Sequence, residues 1–167
     1  MPTVLFICTG NTCRSPMAAS LLQAYALRVG RGDVRAESAG LAAAAGAPAS
    51  EEAHRAVEGV VSLESHSARQ VDARIIAAAE LIVGVTREHA RRLRAAYPDA
   101  AARIVATADL PGGEDVRDPF LLAQEAYVET RRRLEAIFPA LLAELDLRSG
   151  GALPKRIRGE GEGKSRP

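Results

Sequence analysis

One stretch near the N-terminus constrains this chain more than any other: Val4-Leu5-Phe6-Ile7 runs straight into Cys8-Thr9-Gly10-Asn11-Thr12-Cys13-Arg14-Ser15-Pro16. The first four residues read as a short buried strand, and Met17, Ala18, Leu21, Leu22, Tyr25 and Leu27 recur at roughly helical spacing. What lies between is a strand-to-helix turn. Backbone N–H groups in such a turn converge on an anion, and the positive end of the following helix adds to the attraction. The same field stabilises a thiolate at Cys8 and makes it a nucleophile. Arg14, five intervening residues later, offers a planar fork of donors suited to two phosphoryl oxygens at once. Gly10 permits close backbone approach, Asn11 tolerates a left-handed conformation, and Ser15 is placed to hydrogen-bond the sulfur. The expected anion cradle is therefore Thr9, Gly10, Asn11, Thr12, Cys13 and Ser15 around Cys8 and Arg14.

A nucleophile and a clamp do not expel a poor leaving group, so the chemistry also needs a proton donor. Asp118 is the candidate, in a turn-rich run over residues 110–120 just before the last long helix. Pro119 biases Asp118 away from helical geometry, which suits a side chain aimed into a pocket. Its expected role is general acid, then general base.

These residues resemble the low-molecular-weight protein tyrosine phosphatase family, whose pattern is an N-terminal Cys-x5-Arg-Ser loop with a distant Asp-Pro. The likeness runs over roughly residues 2–147 and includes Glu37-Ser38-Ala39-Gly40 and His66-Ser67-Ala68-Arg69-Gln70, which look like the family's loop-supporting segments. The resemblance implies a hydrogen-bond network of Asn11, Ser15, Ser38 and His66 that holds the loop in shape. Position 12 is Thr, where tyrosine-specific members usually carry an apolar residue such as Ile, and Phe120 rather than a Tyr follows Asp118-Pro119. In these details the chain resembles the bacterial protein-arginine phosphatase branch. Replacing an apolar wall with a hydroxyl of nearly the same shape should favour a polar guanidinium leaving group over a phenyl ring. Phe120 joins the loop residues as an expected substrate contact.

What the resemblance implies is a two-step hydrolysis of phosphorylated proteins through a phosphocysteine at Cys8, with no metal and no cofactor. Three other readings compete. Phosphotyrosine hydrolysis differs at position 12. A thiol relay of the arsenate reductase type needs further cysteines near the middle of the chain, and residues 72–100 contain none. A non-catalytic phosphate-binding module leaves the Asp118-Pro119 pair without a purpose.

At 167 residues and 47% hydrophobic content the chain can bury one good core. The expected organisation is a phosphatase domain over residues 1–148 and a disordered basic tail over 149–167. In that tail Lys155, Arg156, Arg158, Lys164 and Arg166 outnumber Glu160 and Glu162, so a body near −2 carries an end near +3. Gly163-Lys164-Ser165 mimics the end of a nucleotide-binding loop, but Arg158 stands where its first glycine is required. With no apolar run long enough for a bilayer and no signal-peptide pattern, a cytoplasmic protein is expected, without membrane or nucleic-acid partners, as a monomer or weak dimer. Two cysteines five positions apart fit a reducing compartment. Cys13 has two readings, a residue packed beneath the loop or a thiol that condenses with oxidised Cys8. His54 and His89 read as surface or packing residues, without cysteine or carboxylate spacing suited to zinc.

Further along, the pattern predicts strands over 34–38, 81–85 and 103–107 and helices over 49–58, 73–79 and 88–96, with Pro98 stopping the last of these. A closing helix over 121–145 places Tyr127, Leu134, Ile137 and Leu141 on one apolar side, with Pro139 a candidate kink. Strands alternating with helices imply a single-domain, three-layer α/β fold: a four-stranded parallel sheet with helices on both faces. Its ligand site should lie at the carboxyl ends of the strands, where Cys8 is.

Overall fold

A computed structural model describes residues 1–150. Four strands, β1 (Thr3–Cys8), β2 (Arg35–Gly40), β3 (Leu81–Gly84) and β4 (Ile104–Ala106), form one sheet in the order β2-β1-β3-β4. Every neighbouring pair is parallel, with Cys8 opposite Gly40 and Ile7 opposite Gly84 at the top of the central strand. Alternation along β1 splits its side chains between two cores. Val4, Phe6 and Cys8 face one side, while Leu5 and Ile7 face the other.

The first face is covered by α1 (Arg14–Arg28), α2 (Glu51–Val57), α5 (Gln124–Ala136) and α6 (Phe138–Arg148). The second carries α3 (Ala73–Ala78) and α4 (Arg87–Ala96), through Ile76, Ala90 and Leu93. Strands buried on both sides need near-continuous apolar sequence, which β1 and β3 have. Each fully buried Leu, Ile or Phe in them contributes about 1.5–3 kcal/mol.

Three details differ from the sequence expectation. The closing helix is two helices, since α5 starts only at Gln124 and breaks at Ile137 before α6. Pro139 has no N–H to continue the ladder, so the chain restarts with proline in the first turn of α6, where that donor is not needed. The fourth strand is shorter than 103–107, because 3-10 turns at Pro98–Arg103 and Thr107–Asp109 take its ends. β2 in turn continues past residue 38 to Gly40. The basic tail expected over 149–167 lies, from residue 151 onward, outside the described residues.

The strand order places β2 and β3 on opposite sides of β1, so the connections leaving β1 and returning to its other edge diverge above it. That divergence opens a crevice at the carboxyl end of β1, directly over Cys8. No helix among the described residues is long and apolar enough to cross a membrane.

Candidate active site

The loop from Cys8 to Arg14 is shaped by its carbonyls. Cys8 O accepts from Leu41 N at 2.9 Å, Thr9 O from Ala42 N at 2.9 Å and Thr12 O from Ser50 N at 2.8 Å. Asn11 O accepts from His66 Nε2 at 2.6 Å, and because a carbonyl can only accept, that nitrogen carries the ring proton. With the carbonyls drawn outward, the Asn11 N–H turns inward to the Cys8 sulfur. Asn11 completes the turn at φ 56°, in the left-handed region that asparagine tolerates. Helix α1 then starts at Arg14 with no side-chain cap and no acidic residue in its first turn. Its free N–H groups and dipole are left for an anion.

Inside this ring sits the Cys8 sulfur, buried and met by two groups. Asn11 N–H donates to Sγ at 3.3 Å, and Ser15 Oγ lies 2.9 Å away. Asn11 Nδ2 donates to Ser15 Oγ and to Ser38 Oγ, each at 2.9 Å. Ser15 therefore already accepts one bond, and its own proton has two acceptors within reach, the sulfur at 2.9 Å and the Ala39 carbonyl at 3.4 Å. The fourth side of Asn11 is closed by Arg69 N–H, which donates to Oδ1 at 2.9 Å. Arg69 also donates to Ser38 O and pairs with Glu37 at 2.6 Å. Every polar atom of the fully buried Asn11 side chain thus has a partner.

Arg14 is only 5% exposed, and its guanidinium is fixed by Nη1 donating to Val116 O at 3.1 Å. Its other arm lies 3.4 Å from Asp118 Oδ2, a carboxylate whose side chain is about half exposed. The segment carrying Asp118 is anchored by Val116 N–H donating to Val85 O at 2.9 Å and by Pro119, which is buried. An Asx turn follows, in which Phe120 N–H donates to Asp118 Oδ1 at 3.1 Å. Asp118, distant in sequence, is thus brought against the loop that carries Cys8 and Arg14.

The remaining expected residues are less uniform. A Cβ on Gly10 would sit 3.6 Å from Thr12 Oγ1, so the Thr12 hydroxyl lies beside the tip of the loop. Phe120 is 69% exposed and continues into exposed Leu121 and Leu122, making an apolar rim instead of a pocket wall. Cys13 packs against Met17, 3.9 Å between sulfurs. Burial, then the neighbouring Cys8, pushes its thiol up to about 12, against the opposing pull of Arg14, so it stays protonated at neutral pH. Tyr127 is buried in the core, and the same burial raises its phenol. A groove of about 840 Å³ runs behind Ser38 and His66, not over Cys8.

Two contributors escape a reading of the sequence. Val116 acts through its backbone carbonyl, which no motif marks. His89, expected to be a surface or packing residue, is buried but touches the loop: Nε2 lies 3.0 Å from Thr9 Oγ1. A signal for it exists in retrospect, since it sits in the first turn of a helix that begins at the carboxyl end of a core strand.

A family model described as low molecular weight phosphotyrosine protein phosphatase matches residues 3–149. A protein-arginine-phosphatase of Geobacillus stearothermophilus is 33% identical over 85% of this chain and 95% of its own length. The low molecular weight protein-tyrosine-phosphatase Wzb of Escherichia coli is 32% identical over 79% and 87% respectively. Among solved structures, a YwlE arginine phosphatase mutant with a phosphorylated active-site serine superposes with a TM-score of 0.79 at 29% identity, covering 86% of this chain and 95% of that one. The chain belongs to the low-molecular-weight phosphotyrosine protein phosphatase family. It is an enzyme of the protein phosphatase class.

Proposed function

We propose that this phosphatase hydrolyses phosphoarginine in proteins. The observation that carries the reading is Thr12, a hydroxyl beside the tip of the loop, together with the half-exposed Asp118 carboxylate held at Arg14. A guanidinium leaving group finds a hydroxyl and a carboxylate to pair with, and an aromatic ring finds only one exposed phenyl group, on Phe120. Similarity to an arginine phosphatase and to a tyrosine phosphatase is nearly equal, so overall identity does not choose between them. Position 12 does.

The steps follow from the geometry. A phosphoryl dianion enters the ring of amides and takes the Arg14 fork, which frees the Asp118 carboxylate from its ion pair so that it takes up a proton from solvent. Cys8 Sγ attacks phosphorus in line as the P–N bond breaks, and the proton on Asp118 goes to the departing nitrogen. Asp118, now ionised, removes a proton from water whose oxygen attacks phosphorus. The S–P bond breaks, inorganic phosphate leaves and the thiolate returns, stabilised by Asn11 N–H and Ser15 Oγ. Arg14 and the loop amides hold the equatorial oxygens throughout. The phosphorylated serine of the YwlE mutant supports a covalent intermediate at this position.

The test compares phosphoarginine and phosphotyrosine peptides with wild type and Thr12→Ile. Wild type should prefer phosphoarginine, and the substitution should move the ratio of kcat/KM toward phosphotyrosine by about 10-fold or more. An unchanged ratio, or a wild-type preference for phosphotyrosine, defeats the reading.

A further inference from the structure

We propose that His89 is a positioning residue of the phosphate loop: its imidazole ties the Thr9 rim to the start of α4 and holds the first part of the loop at the anion site. The role is independent of the leaving group and so stands apart from the reading of Thr12.

The geometry is a relay of single hydrogen bonds. Thr86 caps α4, its Oγ1 accepting from His89 N–H at 3.2 Å, and the same oxygen lies 2.6 Å from His89 Nδ1. A hydroxyl has one proton. With a lone pair used by the backbone, that proton is best spent on Nδ1, which leaves Nε2 to carry the ring hydrogen and donate to Thr9 Oγ1, 3.0 Å away. The charged groups acting on the ring are Arg14 from the loop, Asp118 from the acid segment, and Arg92 and Glu88 from α4 itself. Burial first, then the two arginines, pulls the pKa down to about 4, and the carboxylates only partly oppose this. The ring is neutral at any pH where Cys8 chemistry is useful, so one tautomer persists.

The anchor at the other end of this strap is firm. A Cβ on Gly84 would meet Ala90 N at 2.6 Å and His89 Cβ at 3.1 Å, so α4 lies on β3 as closely as a bare glycine permits. Thr9 is exposed, and its side chain needs a tether. Its carbonyl is held by Ala42, beyond β2, and its hydroxyl by His89, beyond β3. The network of Asn11, Ser38, His66 and Arg69 supports the loop from the β2 side alone. His89 supplies the opposing side.

The experiment is a double-mutant cycle on the full chain with Thr9→Val, His89→Leu and their combination, plus His89→Gln, whose amide N–H stands near the place of Nε2. The readouts are the inhibition constant of inorganic phosphate, kcat and KM for p-nitrophenyl phosphate, and the thermal midpoint of each variant. Thr9→Val and His89→Leu should each weaken phosphate inhibition about 10-fold, the loss of one well-placed hydrogen bond. The double variant should be no worse than either single one, and His89→Gln should recover most of the affinity. The proposal falls if Thr9→Val leaves phosphate inhibition unchanged, if the two effects multiply, or if His89→Gln is as weak as His89→Leu. It falls equally if His89→Leu lowers the thermal midpoint while the folded enzyme binds phosphate normally. Should His89→Leu fail to fold, Thr9→Val measured in wild type and in His89→Gln must show the same 10-fold loss in both, and a full affinity in either overturns the idea.

Discussion

Asn11 concentrates more of this site than any other single side chain. It holds a left-handed backbone angle, donates to two serines, accepts from Arg69 N–H, and aims its own N–H at the nucleophile. Asn11→Ala removes the side-chain bonds, takes from buried Ser15 the donor to its oxygen, leaves Arg69 N–H without a partner and keeps the unfavourable φ. Urea denaturation should show a loss of about 2–4 kcal/mol. His89 makes a separate prediction about pH. The unfolded chain takes up its proton near 6.5 and the folded chain near 4, so between those values the unfolded state holds more protons. Stability from this residue is therefore complete above about pH 7 and is lost as pH falls toward 4. Between pH 7 and 4.5, wild type should lose about 2–3 kcal/mol more than His89→Leu in denaturant titrations. Equal losses would show that the imidazole is not buried neutral. Cys13, kept protonated by burial, is a weak attacking thiol, which favours its reading as a packing residue.

Among the elements, β2 matters less for its side chains than for how closely its end approaches the loop. A Cβ on Gly40 would lie 2.5 Å from Thr9 O and 3.0 Å from Asn11 N, both backbone atoms that cannot swing aside. Gly40→Ala must therefore push the loop away from the strand. Phosphate inhibition should weaken by about 10-fold or more, and the thermal midpoint should fall, at a cost of about 1–3 kcal/mol. A Gly40→Ala protein with wild-type phosphate affinity would mean that the loop tolerates displacement. The acid segment behaves differently. Val116 and Pro119 are buried anchors on either side of the exposed Asp118, so the carboxylate is carried on a short span between fixed points.

Across the whole molecule, the anion site is a stability device as well as a catalytic one, because phosphate binds the assembled loop and not the unfolded chain. At 100 times its dissociation constant, phosphate should add about 2.7 kcal/mol, which for a domain of this size is a rise of about 5–10 °C in Tm. Cys8→Ser, which removes the nucleophile but keeps the amides and Arg14, should retain that shift while abolishing turnover. Arg14→Ala should lose most of it. A Cys8→Ser protein that turns over substrate, or that no longer responds to phosphate, would overturn the assignment of the loop.

The parallel α/β architecture and the strand-loop-helix at the N-terminus were legible in the sequence because each rests on local chemistry, and Cys8, Arg14 and Asp118 stood out as candidates by side-chain type. Apolar period, turn residues and side-chain type are read within a few positions. The break at Ile137 was half legible, in Pro139, but not the separate helix that follows. What remained hidden depends on long-range approach: the carbonyl of Val116 on Arg14, the imidazole of His89 on Thr9, the bare Cα of Gly40 against the loop. The residues by themselves set which chemistry is possible here, since nucleophile, clamp and acid are properties of side chains. Only the packed molecule decided how they are held, because hydrogen bonds to backbone atoms and close strand contacts carry no letter in the chain.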